Sequence, residues 1–143
     1  MSDADEIRNL LGVYTELMDA ADWPAVGQLF ADAELVTEDG TPFAVGAAGV
    51  QALYEGGTKL YDGKPGTRHL TANSIVDVDG DSATARSSYV VFQSAPGFPL
   101  QPIITGRYRD TFTRTDGAWR FARRCFLVDH VGDLSNHLTY EVS

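Results

Sequence analysis

Asp19 and His69 are the residues of this 143-residue chain whose types and placement best suit acid–base chemistry. A carboxylate behind an imidazole is a general-base unit: histidine titrates near neutrality, and the carboxylate fixes its tautomer and stabilises the imidazolium. His69 lies in Thr67-Arg68-His69-Leu70-Thr71-Ala72-Asn73, which reads as the start of a β-strand. Its bland reading is a satisfied strand-end histidine. Asp19 lies near the end of an amphipathic first helix, where Asp22 competes with it. Asp22 continues the apolar stripe better, four residues after Met18, but it also reads as the cap of the next helix, which leaves Asp19 freer. Tyr14, in the middle of that stripe, is either a core tyrosine or a hydrogen-bond donor to a ligand oxygen. Asn73 falls on the His69 face by strand alternation, as a ligand contact or a strand-end amide partner.

Other constellations are weaker. Asp129 and His130 are adjacent on a strand and point to opposite faces, so they read as rim or surface. His137 falls in a polar tail and reads as solvated. Cys125, the single cysteine, reads as a small buried hydrophobe and excludes an internal disulfide. The histidines lack metal-ligand spacing, and Gly46, Gly49, Gly56 and Gly57 match no dinucleotide or phosphate loop. Neither a metal nor a cofactor is expected.

A net charge of −9 argues against a nucleic-acid or anionic-membrane surface, because both need clustered basic residues. The late arginines, from Arg107 to Arg124, are scattered over two faces by alternation. With no long apolar run, no leader pattern and one cysteine, a cytoplasmic location is expected. A 43% hydrophobic content suits one domain with one core, spanning 1–143.

The elements that must position these residues follow from periodicity. Asp3 and Glu6 resemble a capping box, and Ile7, Leu10, Leu11, Tyr14, Leu17, Met18 and Ala21 recur at helical spacing. Asp22-Trp23-Pro24 opens a second short helix to about Phe30. Strands follow at Glu34 to Glu38 and Thr41 to Val45 around Asp39-Gly40, and a third helix runs from Gly46 to Tyr61. Thr67 to Val78 and Ser82 to Ser94 flank Asp79-Gly80-Asp81. Leu100 to Arg114 and Ala118 to Val131 flank Thr115-Asp116-Gly117. Pro96, Pro99 and Pro102 mark the link between these hairpins, where a central strand is not expected. Residues 132–143 read as a loosely held tail. Helices followed by long antiparallel strands predict an α+β domain, a curved sheet around helices with a cavity between them.

Several stretches together resemble the SnoaL-like branch of the nuclear transport factor 2-like superfamily. They are Tyr14 with Asp19, Asp22-Trp23, Leu29-Phe30, Asp32-Ala33, Arg68-His69, Ala85 to Tyr89, Gly106 to Asp110 and Asp116 to Phe121. The resemblance covers about Glu6 to His130 and implies a cone-shaped fold. Within that branch the pattern is similar to the Asp–His group, with the bile-acid 7α-dehydratases, scytalone dehydratase and hexachlorocyclohexane dehydrochlorinase. The tyrosine-to-aspartate spacing of the bile-acid enzymes falls on Tyr14 and Asp19, the group's histidine on His69, and a pocket arginine of the dehydrochlorinase on Arg124. The dehydrochlorinase has a lysine where Tyr14 stands, which favours the dehydratase comparison. The resemblance implies a cofactor-independent lyase, a dehydratase acting on a hydrophobic cyclic small molecule, with catalytic Asp19, His69 and Tyr14 and substrate-binding Arg124; strand alternation adds Asn73 as an expected substrate contact. An isomerase or cyclase using Asp19 alone, or a non-catalytic ligand-binding module, are the alternatives. A homodimer through the exposed sheet face is also implied.

Overall fold

The computed structural model describes residues 1–142; Ser143, the last residue of the expected tail, lies outside the described residues. Three helices pack against a curved, unclosed six-stranded sheet in an α+β arrangement. The helices are α1 (Asp3–Ala20), α2 (Trp23–Leu29) and α3 (Gly46–Gly57). The strands are β1 (Glu34–Val36), β2 (Pro42–Val45), β3 (Thr67–Asp79), β4 (Ser82–Ala95), β5 (Phe98–Thr115) and β6 (Ala118–Val131). Their order in the sheet is β2-β1-β6-β5-β4-β3. All pairings are antiparallel except β1 with β6.

Helix α1 buries Ile7, Leu11, Tyr14 and Met18 against the concave face of the sheet. Ser2, rather than Asp3, caps it: the serine side chain accepts from the Asp5 amide at 3.1 Å. Asp3 instead accepts from the Trp119 indole and from Arg114, which ties the helix start to the far end of the sheet. Asp22 caps α2 by accepting from the Ala25 amide at 3.2 Å, with Pro24 in the first turn as its fixed φ allows.

The long strands bend around α1 at bulges. Register slips occur in β3 between Ala72 and Ile75, in β5 opposite Val91 and Phe92, and in β6 opposite Thr105 and Thr111. Each inserts unpaired residues that bend the strand and increase its twist. Two-residue loops close the hairpins at Gly80-Asp81 and Asp116-Gly117. In the second loop both residues have positive φ, as a primed turn requires.

Two expectations change here. The proline-rich link is part of a central strand, with Pro96-Gly97 as a tight turn and Pro99 and Pro102 inside β5. The prolines fit because β6 first pairs with β5 at Ile104; as strand, the residues before that pair with β4 alone. Helix α3 stops at Gly57, not Tyr61, because Thr58 turns extended and bridges Leu138.

That bridge also corrects the expectation of a loose tail. Residues 132–142 fold back over the open end of the sheet. The Lys59 amide donates to the His137 carbonyl at 2.8 Å, and the Thr139 amide to the Gly57 carbonyl at 3.0 Å. Leu134 is buried, and Leu138 and Val142 pack against the core.

Candidate active site

The concave face, α1, α3 and the tail enclose a cavity of about 370 Å³. Its walls are mainly apolar, with Met18, Leu53, Val91, Ile104, Phe126 and Leu138 among them. The polar residues that interrupt that surface are tyrosines, Thr37, His69 and His137.

Asp19 is in the last turn of α1, and His69 is the third residue of β3. Five residues separate Tyr14 from Asp19, roughly 140° around a helix, so Tyr14 faces the cavity while Asp19 reaches β3. The Asp19 carboxylate contacts His69 Nδ1 at 2.6 Å. It also accepts from the His69 amide at 3.0 Å and the Thr67 hydroxyl at 2.9 Å. Arg68 Nε lies 3.8 Å away and is largely exposed. An ionised carboxylate can only accept, so in the neutral ring Nδ1 carries the proton and Nε2 keeps its lone pair. His69 is 7% exposed and lines the cavity. Asp19 and His69, paired on paper from one helix and one strand, are thus adjacent in the fold.

Tyr14 is fully enclosed, and its hydroxyl lies 3.0 Å from that of Tyr54 on α3. Burial, reinforced by the neighbouring Tyr14, raises the Tyr54 phenol well above its ordinary value. Burial likewise raises Tyr108 far up and pushes Tyr89 up to about 12. These phenols are therefore protonated donors at neutral pH. Gly106 makes room for Tyr89: a Cβ there would strike the Leu127 carbonyl oxygen and the tyrosine ring. Tyr89 then stacks on Tyr108 at 4.5 Å between centroids.

Arg124 is fully buried, behind the aromatic floor rather than on the cavity surface. Its guanidinium binds Asp110 through two hydrogen bonds of 2.8 and 3.0 Å and lies 3.6 Å over the Tyr108 ring and 4.4 Å over that of Tyr14. Burial works against the Arg124 charge but Asp110 outweighs it, so the guanidinium is held more firmly protonated than usual. Burial pulls Asp110 up, opposed by Arg124. The two-point contact keeps the pair ionic, since a neutral Asp110 would strand a buried cation.

Asn73 is not brought to the cavity. It has φ +56° in the β3 bulge, is exposed, and borders a depression beside Arg86 and Arg107. Alternation counts faces correctly only while pairing is continuous, and the slip between Ala72 and Ile75 breaks it. On the rim, Asp129 pairs with Arg107 through two bonds of 3.0 Å, and His130 contacts the Thr105 hydroxyl at 2.7 Å. Cys125 is partly buried, its thiol 3.5 Å from the Thr37 carbonyl.

His137 is a further cavity residue that the sequence reading placed in solvent. It is 7% exposed, and its ring centroid is 6.3 Å from that of His69. Burial first, then the nearby His69, lowers it to about 4, with Asp19 opposing. Leu134 and Leu138, three residues before and one after it, were the available signal: an apolar grouping inconsistent with a solvated tail. Among the described residues, no group of three or more His, Cys, Asp or Glu side chains could hold a metal ion. None of the described helices is long and apolar enough to cross a membrane.

A family model described as a SnoaL-like domain matches residues 1–125. An NTF2-like protein with a cystatin-like fold from Novosphingobium aromaticivorans is 33% identical, with a TM-score of 0.74 over 88% of this chain and 81% of its own. A candidate scytalone dehydratase from the same organism is 23% identical, with a TM-score of 0.74 over 99% of this chain and 89% of its own. ActVI-ORFA from Streptomyces coelicolor is 22% identical, with a TM-score of 0.71 over 90% and 98%. The latter two, at such identities, speak for the fold alone. No curated protein matches the sequence.

Proposed function

We propose, from the premise that this chain belongs to the SnoaL-like domain family, that it is a cofactor-independent lyase that dehydrates a hydrophobic cyclic small molecule. The observation that carries this reading is the 2.6 Å Asp19–His69 contact in the wall of a mainly apolar cavity. The cavity volume of about 370 Å³ is near the low end of ligand pockets, which run to roughly 1,000 Å³, and suits a compact ring system.

In this mechanism the substrate is a cyclic β-hydroxy ketone. His69 Nε2 takes the proton from the carbon next to the carbonyl, and Asp19 stabilises the imidazolium that results. The Tyr14 hydroxyl, backed by Tyr54, donates to the carbonyl oxygen as negative charge develops there. The C–O bond then breaks, the imidazolium returns its proton to the departing hydroxyl, and an enone and one water are released. The apolar walls exclude competing water and strengthen each of these contacts. Arg124 acts from behind the Tyr14 and Tyr108 rings rather than by touching substrate.

An isomerase or cyclase using Asp19 alone is less well supported, because three donors already occupy that carboxylate. A homodimer through the outer sheet face is part of the proposal; Leu70, Ile75 and Val78 of β3 are exposed. A concentration-independent monomer mass in solution would contradict it.

The test is turnover of a panel of cyclic β-hydroxy ketones, followed as enone absorbance. His69→Ala and Asp19→Asn should each lose about 10²–10⁴-fold in kcat with the fold intact. Full activity in either variant would sink the dyad. Loss in Asp19→Asn alone would transfer the reaction to the aspartate.

A further inference from the structure

We infer that His137 is a substrate-binding residue, a neutral imidazole that holds an oxygen of the substrate opposite His69. This inference rests on the cavity reading above and narrows the ligand to a ring system oxygenated at two ends.

The local backbone shows that the ring, not the strand of chain carrying it, is left unengaged. Three successive carbonyls here are taken. That of Ser135 accepts from Lys59 Nζ at 2.6 Å. The Asn136 carbonyl accepts from the Tyr61 hydroxyl at 2.6 Å and the Gln93 amide at 2.9 Å, and that of His137 accepts from the Lys59 amide at 2.8 Å. The His137 amide donates to the Leu134 carbonyl at 3.0 Å, closing a turn. The imidazole so placed is more than nine-tenths buried and lines the cavity, yet its Nδ1 has no hydrogen-bond partner among the described residues. Buried polar groups in native proteins are almost always paired, so an unpaired one on a ring that lines a cavity calls for a ligand.

The two imidazoles differ in a way that assigns them different work. Asp19 fixes the His69 tautomer, whereas no side-chain hydrogen bond among the described residues fixes that of His137. Its ring can present either an N–H or a lone pair, and so can accept from a hydroxyl or donate to a carbonyl. Burial and the neighbouring His69 keep it uncharged at neutral pH, so it does not compete for the proton that His69 carries. At a centroid separation of 6.3 Å, one ligand oxygen can lie about 2.8 Å from a nitrogen of each ring. The Tyr14–Tyr54 hydroxyl pair then serves an oxygen at the other end.

Two inert aromatic probes test this without turnover: 1-naphthol, with one hydroxyl, and 1,5-dihydroxynaphthalene, with hydroxyls at opposite ends. Affinities are read by tyrosine and tryptophan fluorescence. The wild type should prefer the diol by roughly three- to tenfold, the range of one neutral hydrogen bond. His137→Leu should lose that preference while binding 1-naphthol as before. Equal preference in wild type and variant, or no binding of the diol by the wild type, overturns the inference. In case His137→Leu fails to fold, the ¹⁵N ring shifts of His137 in the wild type provide the second readout: they should move on adding the diol, and unmoved shifts overturn it. If the enzyme proposal fails because no β-hydroxy ketone turns over, the probe preference still decides the role of His137.

Discussion

Acidification should unfold this protein through His137, and the size of the effect follows from its burial. In the unfolded chain the imidazole titrates at its ordinary value, 6.5; in the fold it is lowered to about 4. Above pH 6.5 the ring is neutral in both states and contributes nothing to pH dependence. As pH falls from 6.5 towards 4, the unfolded state binds a proton that the folded state does not, so stability drops. Below about 4 both states are protonated and the loss is complete. The difference corresponds to about 3 kcal/mol. This is a sizeable part of the ~5–15 kcal/mol that holds a typical domain together. Exposed carboxylates held low by their partners, Asp3, Asp129 and Asp133, add their own loss at acid pH. The comparison must therefore be between wild type and His137→Leu, in which those contributions cancel. Urea unfolding at pH 7.0, 5.5 and 4.5 reads it: the stability gap between the proteins should move by about 2 kcal/mol in favour of the variant over that range. Parallel pH curves would refute the burial argument.

Further outcomes follow from other contacts. Asp110→Asn should destabilise by about 3–5 kcal/mol, because it leaves the Arg124 guanidinium buried without a counter-charge. The joint Asp110→Leu, Arg124→Met replacement should cost far less, and denaturant midpoints distinguish the two. Gly106→Ala should cost at least about 1–3 kcal/mol, since its methyl group meets the Leu127 carbonyl and Tyr89; an unchanged melting temperature would contradict this. On any substrate found, Tyr14→Phe should lower kcat about 10²-fold or more and Tyr54→Phe about tenfold, because Tyr54 acts only through Tyr14. Equal effects would place both hydroxyls on the substrate.

The helices and the hairpin turns were legible because each rests on local rules, whereas the pairing of Asp19 with His69, fifty residues apart, rested on the family resemblance. Helical spacing gave α1, and glycine-bearing two-residue turns gave the hairpins. What failed depended on distant partners. Asn73 was assigned to the wrong face because a β-bulge is invisible to strict alternation. The prolines of β5 were read as breaking a central strand because the sequence does not reveal that β6 ends short of them. His137 was read as solvated because its tail looks polar, although Leu134 and Leu138 already argued for a packed segment. Tyr54 carries no local sign that its hydroxyl meets that of Tyr14. The resemblance puts Arg124 on the substrate; its burial behind the cavity floor follows from Asp110, directly opposite on the neighbouring strand.

The aromatic floor has a consequence for anyone reshaping this pocket. Tyr108 is a partition with a lodger on each side: it faces the cavity, and the Arg124 guanidinium lies 3.6 Å behind its ring. Trimming it to admit a bulkier ligand would open a door onto a cation that the fold keeps dry. Room is better made in the aliphatic wall, at Leu53, Val91 or Ile104. Ligand range can therefore diversify on one side of this cavity, while the other is held fixed by the ion pair behind it.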